Sequence, residues 1–194
     1  MIKKLPRRKL NRLQGYDYSQ CGYYFVTICV KNRECIFGDV AAGEMRLSDM
    51  GKIADKCWQG IPHHFADVQL DEYIVMPNHL HGIIIIDQPD AGNAIPVGNA
   101  IPVGNADLRS LHRDQNKKID RTKMLLPKII HGFKSSVSRV INQMPDNDWS
   151  GWQKSFYDHI IRDERALDNI REYIMNNPFN WEHDRNHPNI LPKL

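Results

Sequence analysis

The chain has 194 residues, 41% of them hydrophobic and 25% charged, with a formal net charge of +3. That length supports one substantial core and is a tight fit for two domains, and so small a charge does not by itself announce a nucleic-acid binder. Cys21, Cys29, Cys35 and Cys57 have no CxxC spacing, which excludes a zinc ribbon and a disulfide scaffold, and no apolar run approaches the ~20 residues of a membrane span. The expectation is one soluble, cytoplasmic domain over residues 1–194 with reduced thiols.

The first fifteen residues carry Lys3, Lys4, Arg7, Arg8, Lys9 and Arg12 and no acid before Asp17. Such a segment is either a basic arm that lies along phosphates or a frayed terminus. Tyr23 to Val30, YYFVTICV, is aromatic and β-branched and predicts a strand. Ser48 offers an N-cap to a helix with Ile53, Cys57 and Trp58 on one side and Gly60-Ile61-Pro62 as its stop. Val68 to Met76 predicts a second strand, and Pro77-Asn78 turns the chain into a third, His79 to Ile86. Along that strand His79, His81, Ile83 and Ile85 share one face, while Leu80, Gly82, Ile84 and Ile86 share the other. A strand apolar on both faces is central and covered on both sides.

Residues 88–125 contain two copies of GNAIPV and the start of a third, too few units for a solenoid and rich in turn formers, so they predict a flexible insertion. A second basic cluster runs from Arg109 to Lys128. Leu126 to Ile141 has helical period, with Ile129, Ile130, Phe133, Val137, Val140 and Ile141 on one side and Lys128, His131, Ser135 and Arg139 opposite. Lys128, Lys134 and Arg139 are candidate phosphate contacts, although any amphipathic helix has a polar face. Ser155 to Ile161 predicts an extended segment, and Asp163 caps a last helix to about Asn177 that brings Ala166, Ile170, Tyr173 and Asn177 into one arc.

Two histidines at i and i+2 can tilt toward one ion, but a metal needs a third ligand. Asn177, through its amide oxygen, is a candidate, with Asp158, His159 and Asn176 as rivals. Two imidazoles with an oxygen donor and open positions suit Mg²⁺ or Mn²⁺ acting on a phosphate. Tyr173 would then stand beside the ion, with Tyr157 as a second nucleophile to weigh.

The stretches YIVMPNHLHGIII, WQKSFYDHIIRDE and IREYIMNNP, in that order, resemble the single-tyrosine HUH transposases of insertion sequences, in particular their REP-associated branch. The likeness extends from about Tyr16 through Pro178. It implies an α+β fold, an antiparallel sheet flanked by helices in a ferredoxin-like or RRM-like HUH endonuclease arrangement. It also implies that His79 and His81, around Leu80, bind a divalent metal, that Tyr173 is the nucleophile, and that Asn177 completes the metal site. The insertion-sequence enzymes place a Gln at that last position, one methylene longer. The implied activity is cleavage and rejoining of single-stranded or hairpin DNA through a 5′-phosphotyrosine, with Asp158 or His159 as auxiliaries, by a monomer or a homodimer. Two other classes stay open: a non-catalytic RRM-like nucleic-acid-binding regulator, and a phosphoesterase that uses water.

Overall fold

A computed structural model describes Leu13, residues 15–87 and residues 124–190. Lys3, Lys4, Arg7, Arg8, Lys9 and Arg12, and nearly all of the 88–125 insertion with its repeat, lie outside the described residues. Four strands form one antiparallel sheet in the order β4-β5-β1-β6: β4 (Val68–Met76), β5 (His79–Ile86), β1 (Gly22–Cys29) and β6 (Tyr157–Ile161). β2 (Gly38–Ala41) and β3 (Glu44–Leu47) make a separate hairpin. The helices are α1 (Asp49–Gln59), the short α2 (Ile61–His64), α3 (Leu125–Ile141) and α4 (Glu164–Met175). This is the antiparallel sheet flanked by helices that the strand and helix order predicts.

β5 is interior because both its faces are apolar, and the two faces carry different cores. Leu80, Ile84 and Ile86 join Tyr24, Val26 and Ile28 of β1 under α1 and α3, which contribute Ala54, Trp58, Leu126, Ile129, Phe133 and Val137. Ile83 joins Phe25 and Ile161 under Leu167 and Ile174 of α4. Each fully buried isoleucine contributes about 2 kcal/mol of transfer free energy, so strand slippage, which would exchange the two faces, is strongly opposed. Gly82 interrupts the run for a steric reason. A Cβ there would lie 2.4 Å from Cζ2 of Trp58, so the missing side chain is the slot into which the indole packs.

Helix boundaries follow their caps. Ser48 Oγ accepts from Gly51 N at 3.1 Å, and Asp163 Oδ1 accepts from Ala166 N at 2.8 Å, starting α1 and α4 at the positions the sequence marks. Val140, grouped with the apolar side of α3 by its period, is partly exposed beside Phe65 rather than sealed in the core. All four cysteines are free thiols. Among the described residues no helix is long and apolar enough to cross a membrane.

Candidate active site

The first residues of β5 set the site. The Asn78 amide nitrogen donates to the carbonyls of Arg33 at 3.1 Å and Asn186 at 2.8 Å, which leaves its oxygen facing His79 Nδ1 at 2.8 Å. His79 Nδ1 therefore carries the proton, and His79 Nε2 presents a lone pair. Across from it lies His81 Nε2 at 2.9 Å, while His81 Nδ1 sits 2.9 Å from Thr27 Oγ1 on β1. A hydroxyl both donates and accepts, so Thr27 accommodates either tautomer of His81. With the proton on Nε2 the rings share an N–H···N bond; with the proton on Nδ1, two lone pairs converge and call for a cation between them. Donation of the remote ring nitrogen to an oxygen is the usual arrangement of metal-ligating histidines.

Both rings are buried. Burial pushes the His79 pKa down to about 3, with the positive charge of Arg185 adding to the effect. His81 is also held well below its ordinary value, by burial and by His79, against an opposing pull from Asp184. The rings are thus neutral at neutral pH, the state that ligates metals.

Asp184 supplies an oxygen donor that the sequence alone does not disclose. One ligand atom each from His79, His81 and Asp184 lie within 4.8 Å of one another, and all three residues are buried. A 3₁₀ turn, Trp181–His183, brings Asp184 back over the sheet. Asn177 adjoins it, its Nδ2 donating to Asp184 Oδ2 at 3.4 Å. Asn177 Oδ1 is buried without a hydrogen-bond partner among the described residues. Two imidazole nitrogens, a carboxylate and an orphaned amide oxygen form a donor set that fits a divalent ion of the Mg²⁺ or Mn²⁺ kind.

α4 carries Tyr173 to this cluster. Its hydroxyl lies 3.3 Å from His81 Nε2, and its ring meets those of His81 and Phe25 edge-on. The residue is 43% exposed, so part of it also meets solvent. Burial and the Asp184 charge raise the Tyr173 pKa, while Arg185 and an Asn177 contact lower it. Arg171, two residues earlier, clamps the helix to β4 through Nε and Nη2 bonds of 3.0 and 2.6 Å to Asp71. Asn177 lies beyond the end of the helix, in a turn where its N–H bonds the Ile174 carbonyl. The four-residue spacing from Tyr173 is kept by that turn rather than by continued α-helix.

The remaining predicted residues divide. Register pairs His159 with Phe25 and Asp158 with Val26, so His159 shares the face of His81 and Asp158 points into the opposite layer. The inward turn of Asp158 follows from β-strand alternation, which sends these two sequence neighbours to opposite faces. Tyr157 is on the histidine face, paired with Thr27. Lys128, Lys134 and Arg139 stand on α3, on the other side of the sheet from α4. Lys134 Nζ is engaged by the carbonyls of Gln153 and Ser155 at 2.8 and 3.0 Å.

A curated protein of Haemophilus influenzae, described only as uncharacterized, is 38% identical over 182 residues, covering 93% of each chain. The chain belongs to that protein's family. No protein-family model matches it. Among solved structures, a REP-associated tyrosine transposase bound to a REP hairpin superposes with a TM-score of 0.52 at 14% identity, covering 95% of this chain and 77% of its own. The chain therefore shares the transposase fold that the three sequence motifs imply. A Deinococcus radiodurans protein described as a candidate transposase covers 89% of this chain and 96% of its own at 15% identity, but its TM-score of 0.43 is too low to build on.

Proposed function

We propose that this protein is a metal-dependent single-stranded DNA endonuclease and strand transferase that cleaves hairpin-bearing DNA through a 5′-phosphotyrosine intermediate. The observation that carries the reading is the Tyr173 hydroxyl 3.3 Å from His81 Nε2, within a cluster otherwise made of metal-type donors. A core tyrosine needs no such neighbour, and a binding module needs none of the set.

His79, His81 and Asp184 would hold the ion, with Asn177 Oδ1 as a further oxygen. When bound, it supplies positive charge to a non-bridging phosphate oxygen and lowers the cost of ionising the phenol. Tyr173 Oη attacks phosphorus in line, forming the O–P bond as the bond to the 3′-oxygen breaks. The phenol proton leaves to solvent at the exposed edge of the ring, and the departing oxygen becomes a 3′-hydroxyl. Because the phosphotyrosine retains the energy of the broken diester, the reverse attack by a 3′-hydroxyl rejoins DNA without another energy source. Asn78 and Thr27 hold the two rings in place, and the Arg171–Asp71 clamp fixes the helix from which the nucleophile projects. In this arrangement the tyrosine and the metal-type donors come from the same chain.

The solved relative in fold was bound to a REP hairpin, which makes hairpin-bearing single strands with Mn²⁺ or Mg²⁺ the first probe. The expected product is a protein–DNA adduct on a denaturing gel, absent in Tyr173→Phe and retained in Tyr157→Phe. An adduct that survives Tyr173→Phe, or wild type that gives none on DNA flanking its own gene, refutes the mechanism.

A further inference from the structure

We propose that Arg185 and Tyr157 form a nucleotide subsite beside the metal cluster, the guanidinium gripping a DNA phosphate and the phenol ring carrying the adjoining base. The idea rests on the function proposed above, because it takes the strand entering that site as its ligand. It also makes Tyr157 a platform rather than a second nucleophile.

Three features support this subsite. Arg185 Cζ sits 5.2 Å from the centroid of the Tyr157 ring, so the cation is held over an aromatic face instead of trailing in solvent. Among the described residues Arg185 makes no hydrogen bond or ion pair, so its five donors are available, and it is exposed. An arginine whose donors are all unused, yet which stacks on a ring, is suited to pairing its planar fork with two oxygens of a phosphodiester.

Its location supplies the second feature. Arg185 directly follows Asp184, whose carboxylate belongs to the metal-type cluster, and its charge is felt at His79, His81 and Tyr173. A phosphate held there would lie within the reach of the same cluster. The third feature is aromatic. Tyr157 is 42% exposed, and Phe25 lies 6.4 Å from it, 6.1 Å from Tyr173 and 5.4 Å from His81 between ring centroids. Tyr157 and the proposed nucleophile therefore flank one buried phenylalanine, and a base stacked on the face of Tyr157 away from Arg185 would place its backbone near the Tyr173 hydroxyl. Aromatic stacking of this kind is tolerant of sequence because every base has a π-face.

The test is a titration of labelled oligothymidine into the full chain at several salt concentrations, followed by fluorescence anisotropy, in wild type, Arg185→Ala, Arg185→Lys, Tyr157→Phe and Tyr157→Ala. Loss of one phosphate contact reduces the slope of log K against log salt by about 0.7 on a single strand. Arg185→Ala should show that reduction with a roughly tenfold weaker affinity, and Arg185→Lys should keep the slope while recovering part of the affinity. Tyr157→Ala should weaken binding about fivefold or more with the slope unchanged, and Tyr157→Phe should bind as wild type does. On a strand of methylphosphonate linkages the Arg185→Ala penalty should vanish. Lys52→Ala, an exposed cation on α1 paired with Asp49, serves as the control for general charge loss.

An unchanged slope in Arg185→Ala, or a slope that changes equally in Lys52→Ala, overturns the subsite. Adduct formation by wild type is read separately on the hairpin strands. An adduct without the Arg185 slope effect refutes the subsite and leaves the tyrosine mechanism standing, whereas the slope effect without an adduct does the reverse.

Discussion

Acidification from about pH 7 to about pH 5 should destabilise this fold by about 2 kcal/mol through His79 alone. Unfolded, His79 titrates near its ordinary value of ~6.5; folded, burial holds it at about 3. Between those values the unfolded chain binds a proton that the native chain refuses, so stability falls as pH falls across the window and is unaffected above it. The slope is about 1.4 kcal/mol per pH unit below ~6.5, which gives the figure above at about pH 5. His81, shifted in the same direction, adds to it. The assay is urea unfolding followed by tryptophan fluorescence across that range, for wild type and for His79→Gln, comparing slopes rather than absolute stabilities. Removing the ring should flatten the pH dependence. Parallel slopes in the two proteins would sink the idea that a buried neutral His79 governs it. Added Mn²⁺ should raise stability near neutral pH and lose its effect as protons compete for the same nitrogens.

Asp184→Asn should weaken Mn²⁺ binding at least about tenfold by calorimetry, and an unchanged affinity would assign the oxygen donor elsewhere. Gly82→Ala should cost about 1–3 kcal/mol, read as a lower melting temperature, because its Cβ would collide with the Trp58 ring. Arg171→Ala loosens a half-exposed clamp and should cost about 1 kcal/mol of stability. It should slow adduct formation far more than it weakens strand binding, and equal losses in both would show that the clamp does not act through Tyr173.

The sheet's principal strands and the three longer helices are readable from period and caps because each buries at least one coherent face. β5 is the clearest case, its isoleucines serving both cores at once. The β2–β3 hairpin escapes that reading because its turn is Ala42-Gly43, with Ala42 at φ +54° where the familiar signal is Asn-Gly. Tyr173 and Asn177 were legible by spacing, but Asp184 was not. It stands in a polar stretch with no period, and only the fold sets its carboxylate beside the two histidines. Strand alternation by itself puts Asp158 and His159 on opposite faces, but which of them shares the histidines' face depends on a pairing with β1 that one strand's sequence does not name.

Asn78 ties two distant parts of the chain to the same histidine. Its amide grips the Asn186 carbonyl while orienting His79, and Arg33 Nη1 holds the Ile190 carbonyl at 2.7 Å. The donors of the candidate metal centre are thus split among a rigid strand, the end of α4 and a stretch docked by these polar bonds and by the buried Trp181 ring, 6.0 Å from that of His79. Detachment of that stretch would remove Asp184, the one carboxylate of the set, and leave two neutral imidazoles and the Asn177 amide, a poor hold on a hard cation, so ion affinity and docking of the stretch form one linked equilibrium. Hydrogen exchange at residues 181–190 should slow when Mn²⁺ is added, and the ion would then act as the clasp that holds that stretch against β5.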